Sequence, residues 1–199
     1  MLPARFVLMR HGDTSWDSSD PKLNRINGWS SEGLDSRGQA QVAASIPTLA
    51  EAGLTGILTS DLERAEETAR LVGEALGLQA VSEYGLRCWF VGMYAGQREV
   101  VVDPLIQFFI NHPLEPIPRG ESWQTATNRF MHTLGVVEDY ALRHPDKCLL
   151  VVTHGSPIQM YRDSLLGYDP GSRELSGFPP AGLLNVMYLN GAWHAKETK

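Results

Sequence analysis

The sequence predicts an α/β fold in three layers, with a mostly parallel central sheet between helices on both faces. Strand patterns and helix patterns alternate along the 199 residues, which is typical of a parallel sheet with helical crossovers. Two strand-like runs, at 6–9 and 149–153, lead into His11 and His154, and a glycine follows each histidine. Because ligands bind at the carboxyl ends of the strands in such sheets, we expect both histidines at one edge.

The first half of the chain alternates clearly. A polar loop at 13–35 follows the first strand and is long enough to indicate a function. The helix predicted at 36–51 begins with Ser36 and Gln39, which are spaced as a capping box. The next helix is amphipathic, and Gly77 ends it. Its apolar face comprises Leu62, Ala65, Ala69, Val72 and Leu76. The strands on either side of it are predicted at 56–60 and 79–82.

The second half of the chain is less regular. Residues 83–118 are rich in aromatic side chains and predict a cap or insert over the site, within one domain that spans residues 1–199. Ser156 and Pro157 predict the N-cap and the first turn of a helix after the second strand-like run. The remaining predicted elements are a helix near 100–111, a long helix at 121–144 and a last, edge strand at 183–189.

The composition limits the class of partner. A net charge of −6 and a pI near 5.5 argue against nucleic acid or an anionic membrane as the main partner. Cys88 and Cys148 lie far apart and match no metal-binding spacing, so we expect reduced thiols in a cytoplasmic protein. The apolar stretches are too short or too interrupted to span a membrane.

Several short blocks together resemble one protein family. The run Arg10-His11-Gly12-Asp13-Thr14 is similar to the signature of the histidine phosphatase superfamily, in its phosphoglycerate-mutase-like branch. Further blocks resemble that family in the same order, and they are Gly28-Trp29 with 34–41, then 60–69, then Gly120-Glu121-Ser122 with Arg129, then 151–155. One such block is weak evidence, whereas the ordered set covers most of the chain.

The resemblance implies a metal-independent phosphomonoesterase that needs no cofactor and acts on a small phosphorylated substrate. His11 would attack phosphorus and carry the phosphoryl group, while Arg10, Arg64 and His154 would surround the oxygens, where negative charge spreads in the transition state. Further contacts to phosphate or substrate are implied for Gly12, Thr14, Asp17, Asn27, Gly28 and Gly155. The resemblance leaves open whether the chain forms a homo-oligomer.

The chain departs from the family where the general acid usually lies. Cys88 stands in place of a glutamate, and Ala95 replaces a later one. A thiol, with a reference pKa near 8.5, is a poor donor compared with a carboxylic acid. Either another carboxyl protonates the leaving group, or the substrate has a good leaving group, or turnover is weak. The candidate carboxyls are Glu83, Glu99, Asp103 and Glu121. Asp17 also stands where the family commonly has asparagine, which costs phosphate affinity if it is ionised.

Alternative interpretations remain for the residues and for the whole chain. Arg64 pairs with Glu67 if it is a surface residue of its helix. Within the family, a mutase is the rival, although only Arg119 supplies an extra basic residue in the relevant stretch. A protein that binds a phosphorylated ligand without turnover is a second alternative. A metallohydrolase that uses His11, Asp13 and His154 is a third.

Overall fold

The computed structural model describes residues 3–18, 20, 22–168 and 178–198. The strands found there are β1 (Arg5–Arg10), β2 (Gly56–Thr59), β3 (Ala80–Ser82), β4 (Cys148–Thr153), β5 (Leu183–Leu189) and β6 (Ala192–Thr198). The α-helices are α1 (Ser36–Glu51), α2 (Glu63–Leu76), α3 (Glu99–Asn111), α4 (Trp123–Arg143) and α5 (Gly155–Leu165). Two short 3-10 turns, Tyr84–Leu86 and Gly92–Tyr94, lie between β3 and α3.

The strands form one mixed sheet in the order β3-β2-β4-β1-β5-β6. The pairs β1–β4, β4–β2 and β2–β3 are parallel, whereas β5 runs antiparallel to both β1 and β6. The register pairs Arg10 of β1 with Thr153 of β4, and the backbone N–H of His11 donates to the carbonyl of Thr153 at 3.0 Å. His11 and His154 therefore leave adjacent parallel strands at the same edge, as the sequence predicts.

Side chains alternate along β1 between two cores, one on each face of the sheet. Phe6 and Leu8 pack into a cluster that contains side chains of α4 and α5, and Val7 and Met9 pack into another that contains side chains of α1 and α2. A strand buried on both faces reads as a continuous apolar run, which explains the pattern at the N-terminus. The predicted three-layer α/β fold is confirmed.

Two predicted helix caps are wrong by one or two residues. α1 is capped by Asp35, whose carboxylate accepts the N–H of Gly38 at 2.9 Å, and not by Ser36. Asp35 takes the cap because its own N–H is held by the carbonyl of Asp13 at 3.1 Å, which keeps it extended outside the helix. α5 begins at Gly155, so the N-cap position belongs to His154 and not to Ser156. Its imidazole makes no capping bond, since both ring nitrogens are engaged in the site.

The prediction of a last, edge strand at 183–189 is wrong in its place within the sheet. β5 occupies those residues but lies inside the sheet, between β1 and β6. The edge strand is β6, which pairs with β5 across the tight turn at Asn190 and Gly191, both at positive φ. Only Trp193 and Ala195 of β6 pack against the core, and the strand is otherwise exposed, so its apolar alternation is too short to mark a strand in the sequence.

The segment at 83–118 forms the two 3-10 turns and α3, and it has a core of its own. Trp89, Val91 and Ile106 pack there with Trp123 from the start of α4. That it acts as a cap within one domain stays a prediction. No helix in the described part of the chain is long and apolar enough to cross a membrane.

Candidate active site

His11 is buried directly beyond β1, with both ring nitrogens directed by neighbours. Its Nδ1 lies 2.7 Å from the carbonyl oxygen of Gly12, which can only accept a hydrogen bond. Nδ1 therefore carries the proton, and Nε2 keeps its lone pair. The Nε–H of Arg64 points at that lone pair over 3.1 Å. The imidazole of His11 is therefore neutral, and its unprotonated Nε2 accepts a hydrogen bond from the guanidinium of Arg64.

Arg64 is the centre of the cluster, and only 1% of it is exposed. Its Nη2 donates to the carbonyl of Gly28 at 2.7 Å and lies 3.2 Å from Nδ1 of His154. The alternative pairing of Arg64 with Glu67 is wrong, because the Glu67 carboxylate instead accepts the backbone N–H of Leu34 at 2.6 Å. α2 thus turns its arginine inward, between the two histidines that end β1 and β4.

His154 completes the arrangement from the neighbouring strand. Its ring centroid lies 5.1 Å from that of His11, at an interplanar angle of 66°. Nε2 of His154 is 2.9 Å from the Ser60 hydroxyl, which lies just after β2. Since Arg64 donates to Nδ1, the Nε2–H of the neutral ring donates to Ser60. Three adjacent parallel strands therefore deliver side chains to one point.

Burial controls the protonation of these groups. Burial, with the nearby positive charges of Arg64 and Arg10, holds the pKa of His11 well below its ordinary value. Burial and the charge of Arg64 likewise lower the pKa of His154. Burial also lowers the pKa of Arg64, but an arginine still stays protonated at neutral pH. At neutral pH the cluster therefore holds neutral imidazoles beside cationic guanidinium groups.

Arg10 lies at the same edge and is held by an acidic partner. Its Nη2 donates to Oδ1 of Asp17 at 3.1 Å, and its Nη1 donates to the carbonyl of Phe178. The other carboxylate oxygen, Oδ2, accepts the backbone N–H of Thr14 at 2.9 Å and its hydroxyl at 2.8 Å. Both oxygens of the Asp17 carboxyl group thus act as acceptors, one for the guanidinium of Arg10 and one for Thr14.

A cavity of about 410 Å³ opens onto this cluster. The predicted site residues that line it are Arg10, His11, Asp17, Asn27, Gly28, Arg64, Cys88, Glu99, His154 and Gly155. The predicted residues that do not line it are Gly12, Thr14, Glu83, Asp103 and Glu121. Asp13 and Arg119, from the alternative interpretations, do not line it either. The loop at 13–35 forms much of the rim, which fits the function that its length indicates.

Gly12 and Thr14 do not line the cavity, and their contacts instead support the loop beside it. A Cβ on Gly12 would lie 2.5 Å from the carbonyl oxygen of Gly38 in α1, so only glycine permits this close approach of the loop. The Thr14 hydroxyl donates its hydrogen bond to Asp17, as described above, and Thr14 is fully buried. Both residues therefore shape the loop that carries Asp17.

Cys88 lies in the cavity wall at the place where a general acid is expected. Its Sγ–H donates to the carbonyl of Gly28 at 3.2 Å, and Sγ lies 3.5 Å from Nη2 of Arg64. Burial raises the pKa of this thiol, which keeps it protonated and makes it a weak proton donor. Among the carboxyls of the described residues, only Asp17 and Glu99 line the cavity.

Comparison with known proteins agrees with this geometry. Residues 6–199 match the model of the histidine phosphatase superfamily (branch 1). The chain belongs to this superfamily. The resemblance that the five sequence blocks carry is thus confirmed.

Named relatives of this histidine phosphatase fall into two groups. A Yersinia enterocolitica protein named probable phosphoglycerate mutase GpmB is 28% identical over 194 residues, which cover 94% of this chain and 86% of that protein. A mycobacterial glucosyl-3-phosphoglycerate phosphatase superposes with a TM-score of 0.79 at 22% identity, over 98% of this chain and 97% of that one. An alpha-ribazole phosphatase from Shigella flexneri gives 0.76 at 21% identity, over 97% and 95%. The solved structures support the fold.

Sequence reasoning missed several residues of the cavity and its support in this histidine phosphatase. Gln159 lines the cavity although it is buried in α5, and Ser60 orients His154. Ser60 lies inside a block that resembles the family, which was its one available signal. Gln159 lies about one helical turn after Gly155, so only the start of α5 at Gly155 would have placed it at the site.

In the part of the chain that the structure describes, no three side chains of His, Cys, Asp or Glu lie close enough together to hold a metal ion. The metallohydrolase alternative needs Asp13 beside the two histidines. Asp13 instead accepts the amide of Gln41 at 2.8 Å, and its backbone N–H donates to the same side chain at 2.9 Å. Its carboxylate is therefore engaged away from the cavity.

Proposed function

We propose that this protein hydrolyses phosphomonoesters through a phosphohistidine on His11, without a metal ion or cofactor. The observation that carries the proposal is the unprotonated Nε2 of His11, which accepts the Nε–H of the buried Arg64 at 3.1 Å. A neutral imidazole with a fixed tautomer is ready to act as a nucleophile. A phosphoryl oxygen beside Nε2 would accept the hydrogen bond that the Nε–H of Arg64 now donates to Nε2.

The reaction has two displacements at phosphorus. In the first, Nε2 of His11 forms a bond to phosphorus as the bond to the ester oxygen breaks, and the leaving alkoxide or phenoxide takes a proton from solvent water. In the second, the oxygen of a water molecule forms a bond to phosphorus as the bond from phosphorus to Nε2 breaks; the electron pair returns to Nε2, the water gives up a proton to solvent, and inorganic phosphate leaves. Arg10, Arg64 and His154 would stabilise the charge that spreads over the equatorial oxygens in both steps.

The leaving group sets the rate in this proposal. Cys88 is a poor acid in its buried position, and both oxygens of Asp17 already accept hydrogen bonds from Arg10 and Thr14. General acid catalysis contributes about 10²–10⁴-fold. An enzyme without a strong donor is therefore expected to favour aryl phosphates and other esters whose oxygen leaves easily, and to turn over alkyl phosphates slowly.

The structural neighbours that carry phosphatase names support hydrolysis of a small phosphorylated substrate. The relative named as a phosphoglycerate mutase favours a second candidate, phosphoryl transfer between positions of one substrate. A mutase must protect its phosphohistidine from water, whereas a phosphatase hydrolyses it. The lifetime of the phosphoenzyme in buffer separates the two, because survival over many turnover times indicates a mutase.

The nucleophile is tested by His11→Ala, with phosphatase activity measured on an aryl phosphate. We expect a loss of at least about 10³-fold in kcat, no acid-labile phosphoenzyme, and continued binding of vanadate to the remaining cations. The matched control is His194→Ala, since His194 lies exposed on the edge strand β6. Near-native activity of His11→Ala would contradict the mechanism. Vanadate binding by a wild type that never turns over would favour the non-catalytic alternative.

A further inference from the structure

The cavity extends well beyond the cluster that would hold the phosphoryl group. Its volume is about 410 Å³, and a water molecule occupies about 30 Å³ of the liquid. The cavity volume thus equals that of roughly a dozen water molecules. A phosphoryl group fills less than half of this volume. The remaining space accommodates a leaving group about as large as an aromatic or sugar ring.

One part of the cavity lining is apolar, and it consists of Ile26, Val91 and Ile106 together with Trp89. Val91, Ile106 and Trp89 are at most 7% exposed and belong to the packed core of the 83–118 segment, against which Ile26 also packs. Such a wall favours a leaving group with an apolar face over a short hydrophilic one.

Few charged residues lie on the rim of the cavity, and they differ in whether their side chains form hydrogen bonds. Apart from the groups that gather at His11, the charged residues lining the cavity in the described part of the chain are Glu99 and Arg25. Arg25 is exposed and donates its Nη1 to the carbonyl of Gly96 at 2.7 Å. The Glu99 carboxylate has neither a hydrogen bond nor an ion pair with any described residue. Glu99 also lies in the first turn of α3, where the helix dipole favours a negative charge.

We propose that Glu99 is a specificity-determining residue that excludes leaving groups carrying a carboxylate. The apolar lining and the Glu99 carboxylate together select phosphomonoesters of bulky, uncharged ring alcohols over phosphorylated hydroxy acids. This inference rests on the proposed phosphatase function and names the substrate class of that same site. It also provides a physical reason for hydrolysis to differ from phosphoglycerate chemistry, whose substrates carry a carboxylate.

The test compares two esters that differ only in charge, 4-(carbamoylmethyl)phenyl phosphate and 4-(carboxymethyl)phenyl phosphate. The methylene group separates the substituent from the ring, so the two phenols leave almost equally well. We expect the wild type to have the higher kcat/KM for the amide. In Glu99→Gln the ratio should move toward the carboxylate ester by about threefold, the size of one near-surface repulsion over several ångströms. Added salt should shrink the wild-type preference.

The control is Glu115→Gln, which removes an exposed acidic charge outside the cavity and should leave the ratio as it is in wild type. An unchanged ratio in Glu99→Gln would overturn the inference, as would a wild-type preference for the carboxylate ester, which would assign recognition to Arg25. An equal loss on both esters would identify Glu99 as the general acid and would also overturn it.

Failure of the phosphatase proposal is distinguishable from failure of this inference. If the wild type hydrolyses neither ester, the proposed function fails, and the two esters are then compared by displacement of bound vanadate. The same threefold shift in relative affinity is expected in Glu99→Gln. If hydrolysis depends on His11 but the ratio does not respond to Glu99, only the specificity inference is wrong.

Discussion

Asp17 shows how one side chain alters a phosphate site. Its carboxylate holds Arg10 at 3.1 Å and is itself held by Thr14. A phosphoryl group that binds here must share Arg10 with a fixed negative charge. The carboxylate therefore positions the guanidinium and at the same time repels the ligand. For a hydrolase this has a use, because it weakens retention of the phosphate product.

Replacing Asp17 separates these two effects. Asp17→Asn keeps one oxygen acceptor, which suffices for Thr14, but it removes the charge and with it the ion pair to Arg10. We expect the inhibition constant of inorganic phosphate to fall by about tenfold, equivalent to about 1.4 kcal/mol, because the repulsion is lost. Competitive inhibition of aryl phosphate hydrolysis measures this constant. Asp20→Asn, in the same loop but outside the cavity, is the control. Weaker inhibition in Asp17→Asn would mean that the ion pair with Arg10 matters more than the repulsion.

The sequence predicted the site best where side chains follow buried strands. His11 and His154 were found because β1 and β4 are continuous apolar runs that end in His and Gly, and Arg64 because its block resembles the family. Thr14 was expected at the ligand, but its hydroxyl bonds Asp17. Hydrogen bonds within a loop depend on how the loop folds back, and residue type and spacing do not determine that.

At the scale of elements, the segment that follows β3 fixes where residue 88 points. The carbonyl of Cys88 accepts the indole N–H of Trp29 at 2.8 Å and a guanidinium N–H of Arg129 at 3.1 Å. Arg129 also forms an ion pair with Glu121 at 2.6 Å, and Glu121 in turn accepts the N–H of Phe90 at 2.9 Å. Hydrogen bonds thus join the backbone around Cys88 to Arg129 in α4 and to Trp29 in the loop at 13–35.

This explains the GES and arginine block of the sequence in structural terms. Arg129 is not a solvated helix residue, since its side chain is only 13% exposed and supports the cavity wall. Sequence periodicity placed it on the long helix α4 but could not assign its partners, because they lie in a segment without regular secondary structure. The resemblance to the family marked the block, and the structure supplies the reason.

Because the backbone at residue 88 is fixed, Cys88→Glu should carry a carboxyl into the cavity beside Arg64. We expect kcat/KM for an alkyl phosphate to rise by about 10–10³-fold, since its poor leaving group needs a proton. An activated aryl phosphate should gain little. Cys88→Ser is the control and should change neither rate much. If a folded Cys88→Glu fails to favour the alkyl ester, residue 88 is not at the acid position. A collapse of alkyl turnover in Cys88→Ser would instead make the thiol a functional donor.

At the scale of the whole molecule, the fold places a charged cluster inside its core and keeps two histidines neutral there. His11 and His154 are each 3% exposed. The sequence predicted the layers around them because buried parallel strands are continuous apolar runs, as in β1 and β4. It missed β6, because that strand is a mostly exposed edge where only Trp193 and Ala195 pack against the core. The stability of the molecule should therefore depend on pH through the buried cluster.

The sign of this dependence follows from the lowered pKa values of His11 and His154. Below about pH 6.5 an unfolded chain protonates both imidazoles, whereas the native state resists until the pH reaches their lower folded-state pKa values. The unfolded state then binds more protons, so the free energy of unfolding falls as the pH falls through this window. Each histidine contributes up to about 1.4 kcal/mol per pH unit. Asp35 and Asp61, whose pKa values are lowered mainly by their hydrogen bonds against the opposing effect of burial, contribute only in a lower pH range.

This is tested by urea unfolding of the wild type and of the double variant His11→Gln/His154→Gln. The free energy of unfolding is measured from about pH 7.5 to about pH 5, a range that includes the reference pKa of histidine. The double variant has no imidazole to protonate in the cluster, so its free energy of unfolding should fall less steeply with decreasing pH. Its absolute stability at pH 7.5 is allowed to differ, because only the slope carries the argument. His194→Gln, which removes an exposed histidine, should keep the wild-type slope. Equal slopes in the double variant and the wild type would mean that other groups control acid stability and that the buried imidazoles accept protons without unfolding.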